Sequence, residues 1–268
     1  MAPKIGSFGT FAVSIRNISI TENQSLNMVI GDGLVARSFK HYETLDEFLI
    51  FASGVSHSKS CTEVDFQREE DLLRTMLQKL SSPENGKDRD RKDRTFVYFS
   101  TYGMDDPGLR ETPYVKHKLH MEELIRAGAS RYHIFRLSNL AGRSDNPGTI
   151  LNFFYSCITK GIPFELWTHS ERNIIDVEDV FRIADHILKN NLFLNQVINI
   201  ANERNYPVRT IVRCIEDFTG QKAQFVERER GGSFHIELSA VLPLYKKLKI
   251  EFGEDYLRMV IEKYYPKT

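Results

Sequence analysis

From Met28 onward, apolar runs of strand length alternate with stretches of helical periodicity. Met28–Gly31 (MVIG) is a short apolar run, and GLVARSFKHY behind it spaces its apolar positions as a helix does. Phe48–Ala52 (FLIFA) is a second continuous apolar run. Asp65–Leu80 predicts an amphipathic helix with Phe66, Leu72, Leu73, Met76, Leu77 and Leu80 near one face. A polar segment, SSPENGKDRDRKDR, reads as a solvated loop because its charges nearly balance. The strand TFVYFS, a helix from about Pro113 to Ala127 and the strand YHIFRL come next. Continuous apolar strands separated by helices predict a parallel sheet covered on both faces. Beyond Gly142 the pattern loosens into a helix near 148–160, a strand FELW, a helix at 178–189, a strand QVINIA and more helix. That region has loops enough to build a substrate pocket over the sheet.

Residues 1–27 stand apart. Phe11, Val13 and Ile15 alternate like a strand, and Ile18 and Ile20 continue out of phase. No turn or cap ties them to the rest of the chain, so they read as an extension or a misassigned start, in preference to an added edge strand.

Composition narrows the function classes. Hydrophobic residues are 41% and charged residues 27% of 268, ordinary for a globular chain. Thirty-six basic residues balance thirty-six acidic ones, so nucleic acid is not expected as a main partner. No apolar run approaches the roughly 18 residues that cross a bilayer. MAPKIGSFGTFAVSIRN lacks a basic stretch followed by an apolar core, so no signal peptide is expected. Cys61, Cys157 and Cys214 are far apart with no CxxC, which suits a reducing cytoplasm and argues against a disulfide framework or zinc site.

Gly31-Asp-Gly33-Leu-Val-Ala36 follows a strand and opens a helix, the context a dinucleotide loop requires. Gly31 allows the tight turn, Gly33 lets the backbone approach a pyrophosphate, and the small Ala36 permits close helix–strand packing. The helix N-terminus adds unpaired N–H groups and a positive dipole end. Asp32 beside the phosphates counts against this reading. So does a missing partner: the position 20 past Gly31 is Phe51, inside a strand, where an acidic ribose ligand is expected. Between Met28 and Ser53 only one strand–helix–strand unit fits, so the adenine side is cut down.

Tyr114 and Lys118 form a YxxxK on a helix whose start Thr112 and Pro113 mark. Their i,i+4 spacing places both on one face. A free tyrosine titrates near ~10, and a nearby ammonium favours the phenolate. A shift of ~3 units corresponds to about 4 kcal/mol. Ser100-Thr101 ends the strand TFVYFS, where a hydroxyl reaches the carboxyl edge and can hold a substrate oxygen against the tyrosine.

In this order, the motifs make the chain resemble the extended short-chain dehydrogenase/reductases of the NAD-dependent epimerase/dehydratase type. The resemblance covers about residues 28–265 and rests on GDGLVA, FLIFASG, FVYFST, PYVKHKLHMEEL, IFRLSNLAG and RNIIDVEDV. It implies an α/β fold: a shortened, Rossmann-like doubly wound parallel sheet with a smaller C-terminal substrate-binding region. The core would be 28–142 with part of 174–201, and the substrate region 143–173 and 202–268, after the 1–27 extension. Thr101, Tyr114 and Lys118 look like the catalytic triad. Gly31, Gly33, Leu34, Ala36, Ala52, Ser53 and Gly54, with Tyr114 and Lys118, would contact NAD or NADP. Asn139 in RLSNLAG would face a substrate pyrophosphate, and Arg172 looks like the arginine that pairs with a nucleotide-sugar diphosphate. The implied activity is a cytoplasmic oxidoreductase or epimerase on a nucleotide-linked sugar, in surface polysaccharide synthesis, with the helices at 65–80 and 114–127 forming a homodimer contact. The alternative is a Rossmann-fold binding or regulatory module that has lost turnover.

Two departures from the family pattern stand out. The adenine half lacks its usual second and third strands, and the segment between Thr101 and Tyr114 is short. Other constellations read more simply. His117 and His120, with Glu122 and Glu123 nearby, are expected as polar helix positions in preference to metal ligands. Asp179 is expected to help start a helix, and Trp167 to be buried beneath the pocket.

Overall fold

The computed structural model describes residues 28–55, 61–81 and 94–267. The alternation at Phe11–Ile20 and the polar loop at 82–93 lie outside the described residues. In chain order the first half contains β1 (Val29–Ile30), α1 (Leu34–Ser38), a 3-10 turn (Lys40–Thr44), β2 (Phe48–Phe51), α2 (Glu63–Ser81), β3 (Thr95–Thr101), α3 (Pro113–Gly128) and β4 (Tyr132–Leu137). The second half adds β5 (Asn139–Ala141), α4 (Ile150–Thr159), β6 (Phe164–Trp167), β7 (Glu171–Asp176), α5 (Val177–Lys189), β8 (Gln196–Ile200), β9 (Asn205–Pro207), α6 (Val208–Thr219), β10 (Phe225–Arg228), α7 (Leu242–Leu248) and α8 (Tyr256–Tyr264).

The main sheet is parallel throughout, in the order β1-β2-β3-β4-β8. Every residue of β2 and β3 is buried, as two covered faces demand. The period of two sorts the side chains. Leu49, Phe51, Phe96, Tyr98 and Ile134 meet Leu73, Met76 and Leu77 of α2 and Met121 and Ile125 of α3. Ile50, Val97, Phe99 and Phe135 face the opposite way, into a core shared with Phe39, Val180, Ile183 and Ile187. Helices therefore cover both faces of the sheet, in a Rossmann-like arrangement. Among the described residues no strand lies outside β1, so the glycine loop leaves from the sheet's edge.

Two small sheets, β5-β7-β9 and β10-β6, are built from the chain after β4. The sequence foretells β6 as the strand FELW, but not β5, β7, β9 or β10, which are short or partly polar. A buried asparagine network ties β7 to the segment just past β8: Asn173 Nδ2 donates to the Asn202 carbonyl (2.8 Å), and Asn202 N–H to Asn173 Oδ1 (2.9 Å). Among the described residues no helix is long and apolar enough to cross a membrane.

Candidate active site

β3 ends at Thr101 on the carboxyl edge of the sheet, and the chain returns there through α3. Thr112 caps that helix, its hydroxyl oxygen accepting from Val115 N–H (3.4 Å), with Pro113 in the first turn. Tyr114 is thereby held at the start of α3, and Lys118 one turn on. Thr101, at the end of β3, acts on the Tyr114 phenol in the direction that favours its ionised form. Lys118 Nζ lies 5.9 Å from the centre of the Tyr114 ring. Thr101 Oγ1 also accepts from Gly103 N–H (3.1 Å). The structure thus gathers Thr101, Tyr114 and Lys118 at one corner. Ser100 is diverted from it, because its hydroxyl donates to the fully buried Glu122 (2.7 Å), which Arg136 also grips through Nε (2.8 Å) and Nη2 (2.7 Å).

A second carboxylate occupies this corner unannounced. Glu69 of α2 is buried, and its Oε1 accepts from Lys118 Nζ (2.9 Å) and Tyr98 hydroxyl (2.9 Å). Its Oε2 accepts from Val55 N–H (2.8 Å) and lies 3.2 Å from His117 Nε2. Lys118 Nζ additionally donates to Tyr98 Oη (3.1 Å). Burial alone would push the Glu69 carboxyl up; the Lys118 charge, then hydrogen bonds from His117 and Lys118, override it and bring it down to about 2. Burial works against the Lys118 ammonium, but Glu69 beside it holds it above its ordinary value. Burial raises the Tyr114 phenol, Lys118 pulls it down without restoring it, and Glu69 pushes it up again. Sequence reasoning missed Glu69, although a signal existed: it is a charged residue inside the apolar stripe of α2, three past Phe66 and four before Leu73.

The glycine loop packs tightly on one side and is open on the other. Gly31 has φ +124°, and a Cβ there would fall 2.5 Å from the Ala52 carbonyl oxygen. Gly33 caps α1, and nothing lies within 4 Å of where its Cβ would be. Ala36 is buried beneath that loop, whereas Leu34 turns towards Gly142, within 2.7 Å of a Cβ placed there. Ala52 and Ser53 are half-buried. Gly54 rests on the lysine, its notional Cβ 2.5 Å from Lys118 Nζ. The ASG segment and the YxxxK helix therefore meet at the ammonium.

Asn139 and Arg172 converge on Tyr102, just past β3. Asn139 Nδ2 donates to Tyr102 Oη (3.1 Å) and to the Asn173 carbonyl (2.8 Å). Both amide protons are thus committed, and a phosphate would have to displace one of these acceptors. Arg172 Nη1 donates to the Glu171 carbonyl (2.6 Å), and its charge acts on Tyr102. Burial nevertheless pushes the Tyr102 phenol up to about 12. Phe234 stacks on this tyrosine, ring centres 5.2 Å apart. Sequence reasoning missed Tyr102 as well, since it lies in a turn that carries no motif.

Several side chains differ from expectation. His117 is not a surface position; it is buried, stacked on Phe66 (4.5 Å), and paired with Glu69. His120 is exposed and pairs with Glu70. Asp179 stands in the first turn of α5, as expected of a carboxylate there, and Asp176 is the N-cap, its Oδ1 accepting from Glu178 N–H (2.9 Å). Asp179 accepts from the Tyr256 hydroxyl (2.8 Å). Trp167 is half-buried at the end of β6.

The sequence profile of the NAD dependent epimerase/dehydratase family matches residues 29–201. No curated protein matches the chain. Among solved structures it resembles the UDP-glucose 4-epimerase of Thermus thermophilus in complex with NAD, with a TM-score of 0.61 at 16% identity over 85% of this chain and 80% of that one. It also resembles RMD from Pseudomonas aeruginosa complexed with NADPH, with a TM-score of 0.62 at 14% identity over 91% and 88% of the two chains. A third is dTDP-glucose 4,6-dehydratase from Bacillus anthracis in complex with NAD, at 0.60 and 15% over 86% and 76%. At these identities the likeness establishes the Rossmann-like α/β fold.

Proposed function

This chain belongs to the NAD-dependent epimerase/dehydratase family, and from that premise we propose that it is an NAD- or NADP-dependent oxidoreductase or epimerase acting on a nucleotide-linked sugar. The observation that carries the reading is the gathering of Thr101, Tyr114 and Lys118 at one corner, with the buried Lys118 Nζ 5.9 Å from the Tyr114 ring. Thr101 orients a substrate oxygen and Tyr114 exchanges its proton. Lys118 sets the charge beside the phenol and holds the nicotinamide ribose. The open side of Gly33 and the ASG segment over Lys118 suit the pyrophosphate and nicotinamide ends of a dinucleotide, which when bound supplies the hydride chemistry. Asn139 and Arg172, drawn together at Tyr102, are the residues we assign to a diphosphate. The sugar nucleotides named for similar structures, UDP-glucose and dTDP-glucose, support the nucleotide-sugar class.

We further place the reaction in surface polysaccharide synthesis in the cytoplasm, by a homodimer formed through α2 and α3. The outer faces of those helices carry Arg68, Asp71, Arg74, Lys116 and Glu123, all exposed, so such a contact would be polar. Sedimentation at increasing salt tests it. The second reading, a binding module without turnover, is favoured by one observation: Lys118 is already engaged by Glu69 and Tyr98. The deciding experiment is a screen of UDP- and dTDP-sugars with each nicotinamide cofactor. Tyr114→Phe should abolish turnover with circular dichroism unchanged, and a variant retaining a substantial fraction of the rate would remove Tyr114 from its role.

A further inference from the structure

A lysine can lower a neighbouring phenol's pKa only if its charge is felt there. At this corner the charge is met at once by another. Glu69 Oε1 stands 2.9 Å from Lys118 Nζ, both groups are buried, and the second contact of Nζ goes to Tyr98. Seen from the Tyr114 ring, 5.9 Å from Nζ, the pair is a dipole and not a cation. The groups facing Tyr114 come from several segments: Lys118 on its own helix, Glu69 on α2, Cys61 ahead of α2, Tyr98 and Thr101 on β3, and Tyr102 beyond it. Of these Lys118 is the cation, and Glu69 works against it at the phenol; His117 of α3, 3.2 Å from Glu69 Oε2, is the titratable group on the other side of that carboxylate.

Resting on the assignment of Tyr114 as the proton-exchanging group, we propose that Glu69 is a positioning residue that pins Lys118 and offsets part of its charge, so that the Tyr114 phenol holds its proton more firmly than the lysine alone would allow. In the reducing direction Tyr114 is then the acid: its O–H bond breaks and the proton passes to a substrate carbonyl oxygen as the C=O π bond opens to the hydride that a bound dinucleotide would supply, leaving a phenolate. Glu69 also fixes where the lysine points. It ties Nζ to the backbone of Val55, so the ASG segment, the lysine and α2 move as one unit. The buried environment raises the Tyr114 phenol in the same direction.

Ultraviolet titration of phenolate formation in the unliganded chain tests this, each variant being subtracted from its Tyr114→Phe counterpart so that only Tyr114 is read. In the native sequence the Tyr114 step should lie above the ordinary tyrosine value of about 10. In Glu69→Gln, with the lysine charge uncovered, it should fall by roughly 1–3 units. Glu69→Asp retains the charge and should leave the step high, which separates charge from mere occupancy. A native step near neutrality, or a Gln variant titrating with the native chain, overturns the proposal. If Glu69→Gln does not fold, Glu69→Ala, which also uncovers the lysine charge, is read in its place with the same expected fall. The readout needs neither substrate nor cofactor, so a failure of the enzymatic reading, seen as turnover by Tyr114→Phe, remains distinguishable from a failure here.

Discussion

Gly31 and Gly33 lie two residues apart, yet the backbone uses them for opposite ends. At Gly31 the φ of +124° and the 2.5 Å approach to the Ala52 carbonyl mean that a methyl group would strike backbone, which no rotamer relieves. Gly31→Ala should therefore cost roughly 1–3 kcal/mol, read as a lowered denaturant midpoint, because it must either strain or separate β1 from β2. Gly33 has an ordinary φ of −70° and open space where its Cβ would stand. Gly33→Ala should fold with a loss below about 1 kcal/mol, the scale of an Ala-for-Gly change at a helix cap. It should nonetheless weaken dinucleotide binding, since the added methyl occupies the side left open for pyrophosphate. Equal stability losses at the two positions would refute this division. Among the candidate site residues, Thr101, Tyr114 and Lys118 were legible because helical spacing and a strand end are local facts. Glu69 and Tyr102 were not: their partners lie on other elements, and only the pairing of α2 with α3, and of β5 with β7, brings them into reach.

At the scale of elements, legibility followed burial. β2, β3 and β4 are covered on both faces and so write unbroken apolar runs into the chain. β7 (ERNIID) begins with half-exposed Glu171 and Arg172, and β9 is only three residues, so neither carries a period strong enough to read. β4 also carries a cost in its interior. His133 is 1% exposed, between Val97 of β3 and Gln196 of β8, with Phe135 stacked 5.8 Å away. Burial first, and the Arg131 charge second, bring its ring down from 6.5 to about 4. The fold thus favours the neutral imidazole. Its contribution is complete above pH 6.5 and is lost as pH falls towards 4, about 3 kcal/mol in full. Glu69 acts lower, between 4.5 and about 2, so the two windows separate. Urea unfolding at about pH 7.5 and about pH 5 should show native stability falling with acid, and a flatter dependence in His133→Val. Parallel slopes in the two proteins would assign the acid loss to other groups.

At the scale of the whole molecule, the sheet order decides what a dinucleotide would find. In open α/β sheets ligands bind beyond the carboxyl ends of the strands, where the strand order reverses. Here β1 is an edge and the order runs in one direction from β1 to β8, so among the described residues no strand stands on the adenosine side where the glycine loop begins. The loop, the ASG segment and Lys118 remain for the pyrophosphate and nicotinamide ends. The position where an acidic ribose ligand is expected holds Phe51, which is buried in the sheet. Each hydrogen bond missing at the adenosine end is worth about 0.5–1.5 kcal/mol net. Two or three of them weaken binding by roughly ten- to a thousandfold, and the distinction between NAD and NADP, which is made at that ribose, weakens with it. Calorimetric titration with both cofactors should accordingly give weak and similar affinities. Tight binding of one with strong rejection of the other would show that side chains from elsewhere in the chain rebuild the adenosine wall, and that the single-sided sheet order does not govern the cofactor.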